Sequence, residues 1–241
     1  MPVTADSASP DTVITGQPHY QANRNHMAIV REKVKHLYDA GARRYDFATI
    51  LFRLAGLRMQ TYRSEIVESL DLKRGDTVLE LGCGTGLNFP LVLEKVGPTG
   101  KIIGVDLTPG MLAVARQKVC KNDWKNIELI ESDLTRFDFP NAVDAIFLTG
   151  VLGYIPEYDF VIEKAYNALS SGGRIAILDG KKPDNLPGVV FKLVLALGKP
   201  YGYTEEYFKV APWESVERLF SDVRFSTRYG GMIYEVSGVK A

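Results

Sequence analysis

The chain has 241 residues, and its 29 Lys and Arg balance 29 Asp and Glu. That length suits one domain with extensions and a sizeable core, and zero net charge argues against a dedicated nucleic-acid binder. No apolar run reaches the ~20 residues needed to span a bilayer, no signal peptide is visible, and Cys83 and Cys120 are spaced for neither a disulfide framework nor a metal site, so a cytoplasmic setting without a metal is expected.

The balance of charge is uneven along the chain. Residues 24–63 hold nine Lys and Arg against three acids. Residues 1–25 are rich in Ser, Thr, Pro, Asp and Gln and lack apolar periodicity, which predicts a disordered tail. From Met27 the pattern is helical, with Met27, Val30, Val34 and Leu37 on one face. Tyr38-Asp39 and Tyr45-Asp46 follow around an Ala40-Gly41 break. A second helical region runs from about Phe47 to Leu70, its first half striped by Ile50, Leu51, Leu54 and Leu57. Residues 26–70 thus form a helical cover, which either closes over a ligand site or caps the edge of a sheet.

The domain proper spans 71–241. Strand-like runs Thr77–Leu81, Lys101–Asp106, Ile127–Glu131, Val143–Leu148 and Arg174–Leu178 alternate with helical patterns at Asn88–Lys95, after Thr108-Pro109, and at Tyr158–Leu169. Thr108 and Pro109 read as N-cap and first helical position. Alternation of this kind predicts right-handed crossovers, a parallel sheet, and a ligand at the carboxyl ends of the strands. A covering insert at about 181–220 carries the apolar stretch Leu186–Leu197, with Lys181, Lys182, Lys192 and Lys199 in and around it. A short helix Trp213–Phe220 precedes two closing strands, Val223–Tyr229 and Met232–Val239, joined by the hairpin signal Gly230-Gly231.

The first strand runs into Glu80-Leu81-Gly82-Cys83-Gly84-Thr85-Gly86. Strand, glycine turn and helix let a ligand approach the backbone and meet the free N–H groups of the helix. Leu87 stands where a dinucleotide fingerprint needs its third glycine, and Leu87-Asn88 replaces the Lys-Ser/Thr of a P-loop. The acid before the turn is poor for pyrophosphate and good for a cationic ligand.

This stretch resembles the first motif of class I S-adenosylmethionine (SAM) dependent methyltransferases. Other signals fall where that family requires them: Asp106 ends the second strand, Ser132-Asp133-Leu134 follows the third, Asp144 to Leu152 corresponds to the fourth strand and its loop, and Leu169 to Arg174 leads into the fifth. The resemblance implies a doubly wound, Rossmann-like, seven-stranded α/β sheet, mostly parallel with a terminal antiparallel hairpin, and SAM as cofactor. It implies a cofactor wall of Glu80, Gly82, Cys83, Gly84, Gly86, Asn88, Asp106, Leu107, Met111, Asp133, Leu134 and Thr149. Asp106 takes the ribose hydroxyls in that reading, or is a helix-cap acid near Thr108. Asp133 takes the adenine amino group, with Leu107 and Leu134 beside the ring, or is a turn former. Cys83 is a small residue that fits the turn.

The expected activity is methyl transfer to a small-molecule acceptor. Family members often carry histidine in the loop after the fourth strand, where this chain has Tyr154; its histidines are His19, His26 and His36. Tyr154 and Tyr45 are the catalytic candidates, orienting an acceptor by hydroxyl or cation–π contact; packing is the plain alternative. Ala42-Arg43-Arg44-Tyr45-Asp46 resembles an element of the ubiquinone/menaquinone methyltransferase group. The basic 24–63 region and the apolar Leu186–Leu197 segment point to a lipid-like acceptor, a role in lipid metabolism and contact with an anionic membrane surface, against an ordinary cap helix. Phospholipid amine N-methylation is slightly favoured over quinone-ring C-methylation, because a placed histidine is lacking. An aminocarboxypropyl transferase or a non-catalytic SAM-binding protein would share the cofactor motifs. A nucleic-acid substrate is not expected, since no Asn/Asp-Pro-Pro-Tyr element follows the fourth strand.

Overall fold

The computed structural model describes residues 32–47 and 58–241. The expected tail over 1–25, the Ile50–Leu57 stripe, His19 and His26 lie outside the described residues. Helix α1 runs through 32–47 and α2 covers Met59–Ser69. The order is then β1 (Thr77–Leu81), α3 (Phe89–Val96), β2 (Lys101–Asp106), α4 (Pro109–Lys121), β3 (Ile127–Glu131), β4 (Val143–Thr149), α5 (Tyr158–Ala168), β5 (Leu169–Gly180), α6 (Gly188–Gly198), α7 (Pro212–Leu219), β6 (Ser221–Arg228) and β7 (Ile233–Val239). Short 3₁₀ turns occupy Leu152–Tyr154, Lys199–Tyr201 and Glu206–Phe208.

The seven strands form one sheet in the order β3-β2-β1-β4-β5-β7-β6. β1 to β5 are parallel, and β7 runs antiparallel to both β5 and β6. This is the Rossmann-like α/β sheet with a reversed terminal hairpin that the motif order implied. Strand alternation splits the apolar residues between two faces. Leu79, Leu81, Ile146 and Ile175 pack with Val161, Ile162 and Ala165 of α5 and Val216 of α7. Val78, Ile102, Phe147 and Ala176 pack with Ile66 of α2, Phe89 and Val92 of α3, and Leu112 of α4. Both faces are covered, so the central strands are apolar almost throughout.

Three local features differ from the sequence reading. The helix is unbroken through Ala40-Gly41; a helical glycine costs about 1 kcal/mol, and side-chain anchors described below hold α1 in place. Thr108 occupies the N-cap of α4 but makes no side-chain cap bond; the N–H of Gly110 donates instead to Asp39 Oδ1 of α1, at 2.6 Å. β5 begins at Leu169, because Leu169 pairs with Val143 and the Gly172-Gly173 segment joins the sheet through Lys240.

The chain leaves β1 for β2 and β3 on one side and resumes at β4 on the other. The loops after β1 and β4 therefore diverge at the switch point, where a crevice opens.

Candidate active site

The crevice is a cavity between three layers. Its floor is the glycine turn after β1, at Gly82, Cys83, Gly84 and Thr85. Its sides are Asp106, Leu107, Thr108 and Met111 at the end of β2, Asp133 and Leu134 after β3, and Thr149 to Val151, Tyr154 and Ile155 after β4. Its cover is Val34, Tyr38 and Tyr45 of α1, with Arg63 of α2. Eleven of the residues selected by sequence therefore share one cavity: Gly82, Cys83, Gly84, Asp106, Leu107, Met111, Asp133, Leu134, Thr149, Tyr154 and Tyr45.

Glu80, Gly86 and Asn88 lie off the cavity wall. Glu80 points to the α3 face of the sheet and is fully buried. Its Oε1 accepts from Asn88 Nδ2 at 2.7 Å, while Oε2 has no partner among the described residues. Burial pushes its carboxyl up to about 8; Asn88 and the Arg63 charge oppose that shift. Glu80 thus holds a proton at neutral pH, in contrast to the anionic group read from the sequence. Asn88 also donates to Thr149 Oγ1 at 3.2 Å and accepts from Arg63 Nη1 at 2.9 Å. Gly86 serves the turn and packing: its φ is +73, and an added Cβ would sit 2.4 Å from the Phe89 ring.

Gly82 has φ +74, and a Cβ there would lie 2.2 Å from Val151 Cγ2, so the turn after β1 and the loop after β4 meet in contact. That loop is fixed from beneath by Asp179 of β5, whose Oδ2 accepts from the N–H groups of Val151 and Leu152 at 2.9 and 2.7 Å. Asp179 Oδ1 takes the Gly180 N–H and the Tyr207 hydroxyl. Its burial raises the carboxyl, and these four donors hold it down.

Asp106 pins the glycine turn to the start of α4. Its Oδ2 accepts from Gly84 N and its Oδ1 from Thr108 N, each at 2.8 Å. The Leu107 N–H and the Thr108 hydroxyl also donate to this carboxylate; burial raises its pKa, and these donors hold it down. Of the two roles that sequence left as alternatives, the helix-start brace is the one these bonds fill, and the residue also lines the cavity. Asp133 Oδ1 accepts from Thr135 N and Oγ1 at 2.9 and 2.7 Å, the turn-forming role, while the residue still lines the cavity. Burial pushes the Cys83 thiol well up, which suits a filler and not a nucleophile.

The Tyr-Asp repeat of α1 has a clear geometry. Tyr38 and Tyr45 face the cavity. Asp39 caps α4, and Asp46 accepts from Thr85 Oγ1 at 2.6 Å and pairs with Lys118 at 2.6 Å. Seven residues are about two helical turns, so the two carboxylates fasten α1 to α4 and to the glycine turn. Tyr154 donates to the Tyr201 carbonyl at 2.6 Å, which leaves its oxygen to accept from Tyr38, 2.9 Å away. Burial raises both phenols well above their ordinary range. They stay protonated, as hydrogen-bonding walls. The rings of Tyr38 and Tyr45 lie 6.0 Å apart, and those of Tyr38 and Tyr154 5.9 Å. His36 is 82% exposed beside Glu32, away from the cavity.

Sequence reasoning missed Arg63, Asp179 and Val34. Arg63 belongs to the basic region already noted, and no local motif distinguishes it.

The backbone at Gly84 and Gly150 has positive φ, and a Cβ at either would meet no atom of a described residue beyond its chain neighbours within 4 Å. Open backbone beside an acid and an apolar slot of Leu107, Met111 and Leu134 fits a nucleoside with a polar tail. Residues 72–210 match a family model described as a methyltransferase domain. The demethylmenaquinone methyltransferase of Listeria welshimeri is 29% identical over 213 residues, covering 81% of this chain and 88% of that protein. A SAM-dependent methyltransferase from Aquifex aeolicus shares the fold, with a TM-score of 0.56 and 24% identity over 74% of this chain and 89% of that one. So does phosphoethanolamine N-methyltransferase 2 of Haemonchus contortus, solved with S-adenosyl-L-methionine, with a TM-score of 0.62 and 18% identity over 75% of this chain and 52% of that one. The family match reaches from the turn before β1 to the loop before α7 and so takes in the whole cavity floor; the chain belongs to the class I SAM-dependent methyltransferases, an enzyme family with SAM as its cofactor.

Proposed function

We propose that the chain methylates a lipid-like acceptor, with the ring carbon of a quinone-type head group as the leading substrate. The carrying observation is the tyrosine-walled, largely apolar end of the cavity beneath α1, formed by Val34, Tyr38, Tyr45, Tyr154 and Ile155. A flat aromatic acceptor suits edge and face contacts with such rings. The name of the Listeria relative supports the ring reading, since that likeness covers most of both chains. Phospholipid amine N-methylation, favoured by the histidine argument alone, is the second reading; its specific support is the same set of rings, which can also receive a cation.

SAM supplies a methyl group on a sulfonium. In this proposal Asp106 holds the ribose, Leu107, Asp133 and Leu134 hold the adenine, and Arg63 pairs with the methionine carboxylate. The protein's task is alignment and exclusion of water, which falls to α1 and its two aspartate anchors. Tyr45 is the group we assign to the acceptor: its hydroxyl makes no hydrogen bond to a described residue, whereas Tyr154 is committed to Tyr201.

The test is methyl transfer from labelled SAM to a reduced prenylated naphthoquinone and, separately, to phosphatidylethanolamine. A quinol product heavier by one methylene, with the new carbon on the ring, supports the proposal. Labelling of the amine lipid alone selects the second reading. A larger added group overturns methyl transfer itself.

A further inference from the structure

The helix α6 is exposed in an unusual way. Of its eleven residues only Gly198 is fully buried. Val189, Leu193 and Leu197 are 74%, 57% and 70% exposed, and Val190 is 39% exposed. At 100° per residue these four occupy one contiguous quarter of the helix. Phe191 lies on the opposite side and packs on Phe208, ring centroids 5.4 Å apart. The inner side thus fixes α6 to the body and the outer side presents an apolar strip. Single exposed apolar residues are ordinary, but a continuous strip signals a binding surface.

Charge on this segment selects the partner. Residues 181–199 carry four lysines and one acid, Asp184. Asp184 is paired with Lys181, which leaves Lys182, Lys192 and Lys199 exposed. Lys192 and Lys199 flank the strip on one edge by helical angle. An apolar strip with a basic border is the pattern of a helix that lies in the head-group region of an anionic bilayer. The chain then turns directly from α6 into the cavity wall. Lys199–Tyr201 is a 3₁₀ turn, and the Tyr201 carbonyl receives the Tyr154 hydroxyl. A Cβ at Gly202 would lie 3.5 Å from both Leu37 of α1 and Tyr154.

We infer that the outer face of α6 docks on an anionic lipid surface and sets the tyrosine-walled end of the cavity against it. The inference rests on the lipid-like acceptor reading for its purpose. It is tested without turnover, so the two fail separately. The full chain is sedimented with vesicles of phosphatidylglycerol and with vesicles of phosphatidylcholine. Sedimentation with the anionic vesicles only is expected. The pair Leu193→Ser and Leu197→Ser is expected to weaken it at least tenfold, with melting temperature and SAM affinity unchanged. The pair Lys192→Gln and Lys199→Gln is expected to weaken it about fivefold per lysine at low salt. Four results overturn the inference: no sedimentation of the unaltered chain, equal sedimentation with both lipids, undiminished binding by the leucine pair, or a dimer that the leucine pair converts to monomer. A fall in melting temperature for the leucine pair with vesicle binding intact assigns the strip to a segment of this chain and overturns it as well.

Discussion

Glu80 and Asn88 form a sealed pair: the amide donates to the acid at 2.7 Å, and both side chains are closed off from solvent. The second oxygen of Glu80 has no partner among the described residues, and burial favours its protonated form. The acid sets a link to pH. The folded state keeps a proton up to about pH 8, whereas the unfolded chain loses it in the ordinary carboxyl range. Stability contributed here is present at low pH, falls as pH rises through that window, and levels off above about 8.

Glu80→Gln keeps the acceptor for Asn88 and removes the titration. Urea unfolding at pH 5, 7 and 9 is expected to show nearly equal stabilities at pH 5. The variant gains progressively above it, approaching about 1.4 kcal/mol for each pH unit that separates the two carboxyl values. Parallel pH profiles for the two proteins would refute a neutral Glu80.

Asp106→Asn tests the helix-start brace and the proposed ribose contact together. The amide has one acceptor oxygen, so either Gly84 N or Thr108 N loses its partner. A hydrogen bond to a charged group is worth about 1.5–3 kcal/mol, and SAM affinity by calorimetry is expected to fall tenfold or more. Asp106→Ala is expected to abolish binding and also to lower the melting temperature, because it frees both backbone donors. Unchanged SAM affinity in the asparagine variant would remove Asp106 from the ribose site.

Gly82→Ala addresses the contact between the two loops. The positive φ alone costs about 1–3 kcal/mol for a non-glycine residue, and the new Cβ overlaps Val151 Cγ2. A loss of about 2–4 kcal/mol is expected from strain and overlap together. Val151→Ala in the same chain is expected to restore the overlap part and not the dihedral part. Additive effects of the two substitutions would show that the loops do not press on each other.

Asp39→Ala and Asp46→Ala each release one anchor of α1. Loss of the Asp39 cap, or of the Asp46 hydrogen bond to Thr85, costs about 1 kcal/mol, so the melting temperature of the sheet domain is expected to move little. SAM affinity is expected to weaken several-fold in each and further in the double variant, because Tyr38 and Tyr45 lose their fixed position over the cavity. Full affinity in the double variant would mean that α1 is a bystander.

Much of the fold was legible because it depends on short-range chemistry. Apolar runs separated by helical periods define a doubly wound sheet, and Gly230-Gly231 places a hairpin where two strands close it. The glycine turn was legible for the same reason, since backbone that must bend through positive φ next to a ligand demands glycine locally. Its individual residues were less so. Gly86 is a glycine for its positive φ and for the Phe89 ring, and the sequence offers no means of telling those from a ligand contact.

Tertiary structure decided what depends on distant partners. The charge state of Glu80 follows from burial against α3, and a string of letters carries no measure of burial. The repeat Tyr38-Asp39 and Tyr45-Asp46 was visible as a pattern, yet its meaning required Gly110, Thr85 and Lys118, which come from two other elements. Tyr154 and Tyr45 looked equivalent until the Tyr201 carbonyl claimed the proton of one. Asp179 and Arg63 belong to no motif and act through partners distant in the chain, Asp179 on the loop after β4 and Arg63 on Asn88. The sequence by itself determined the sheet, the turn and the family, because each rests on residues close together in the chain; the protonation, the anchoring of α1 and the division of labour among the tyrosines were settled only by folding, because each is an interaction between groups that the chain keeps far apart.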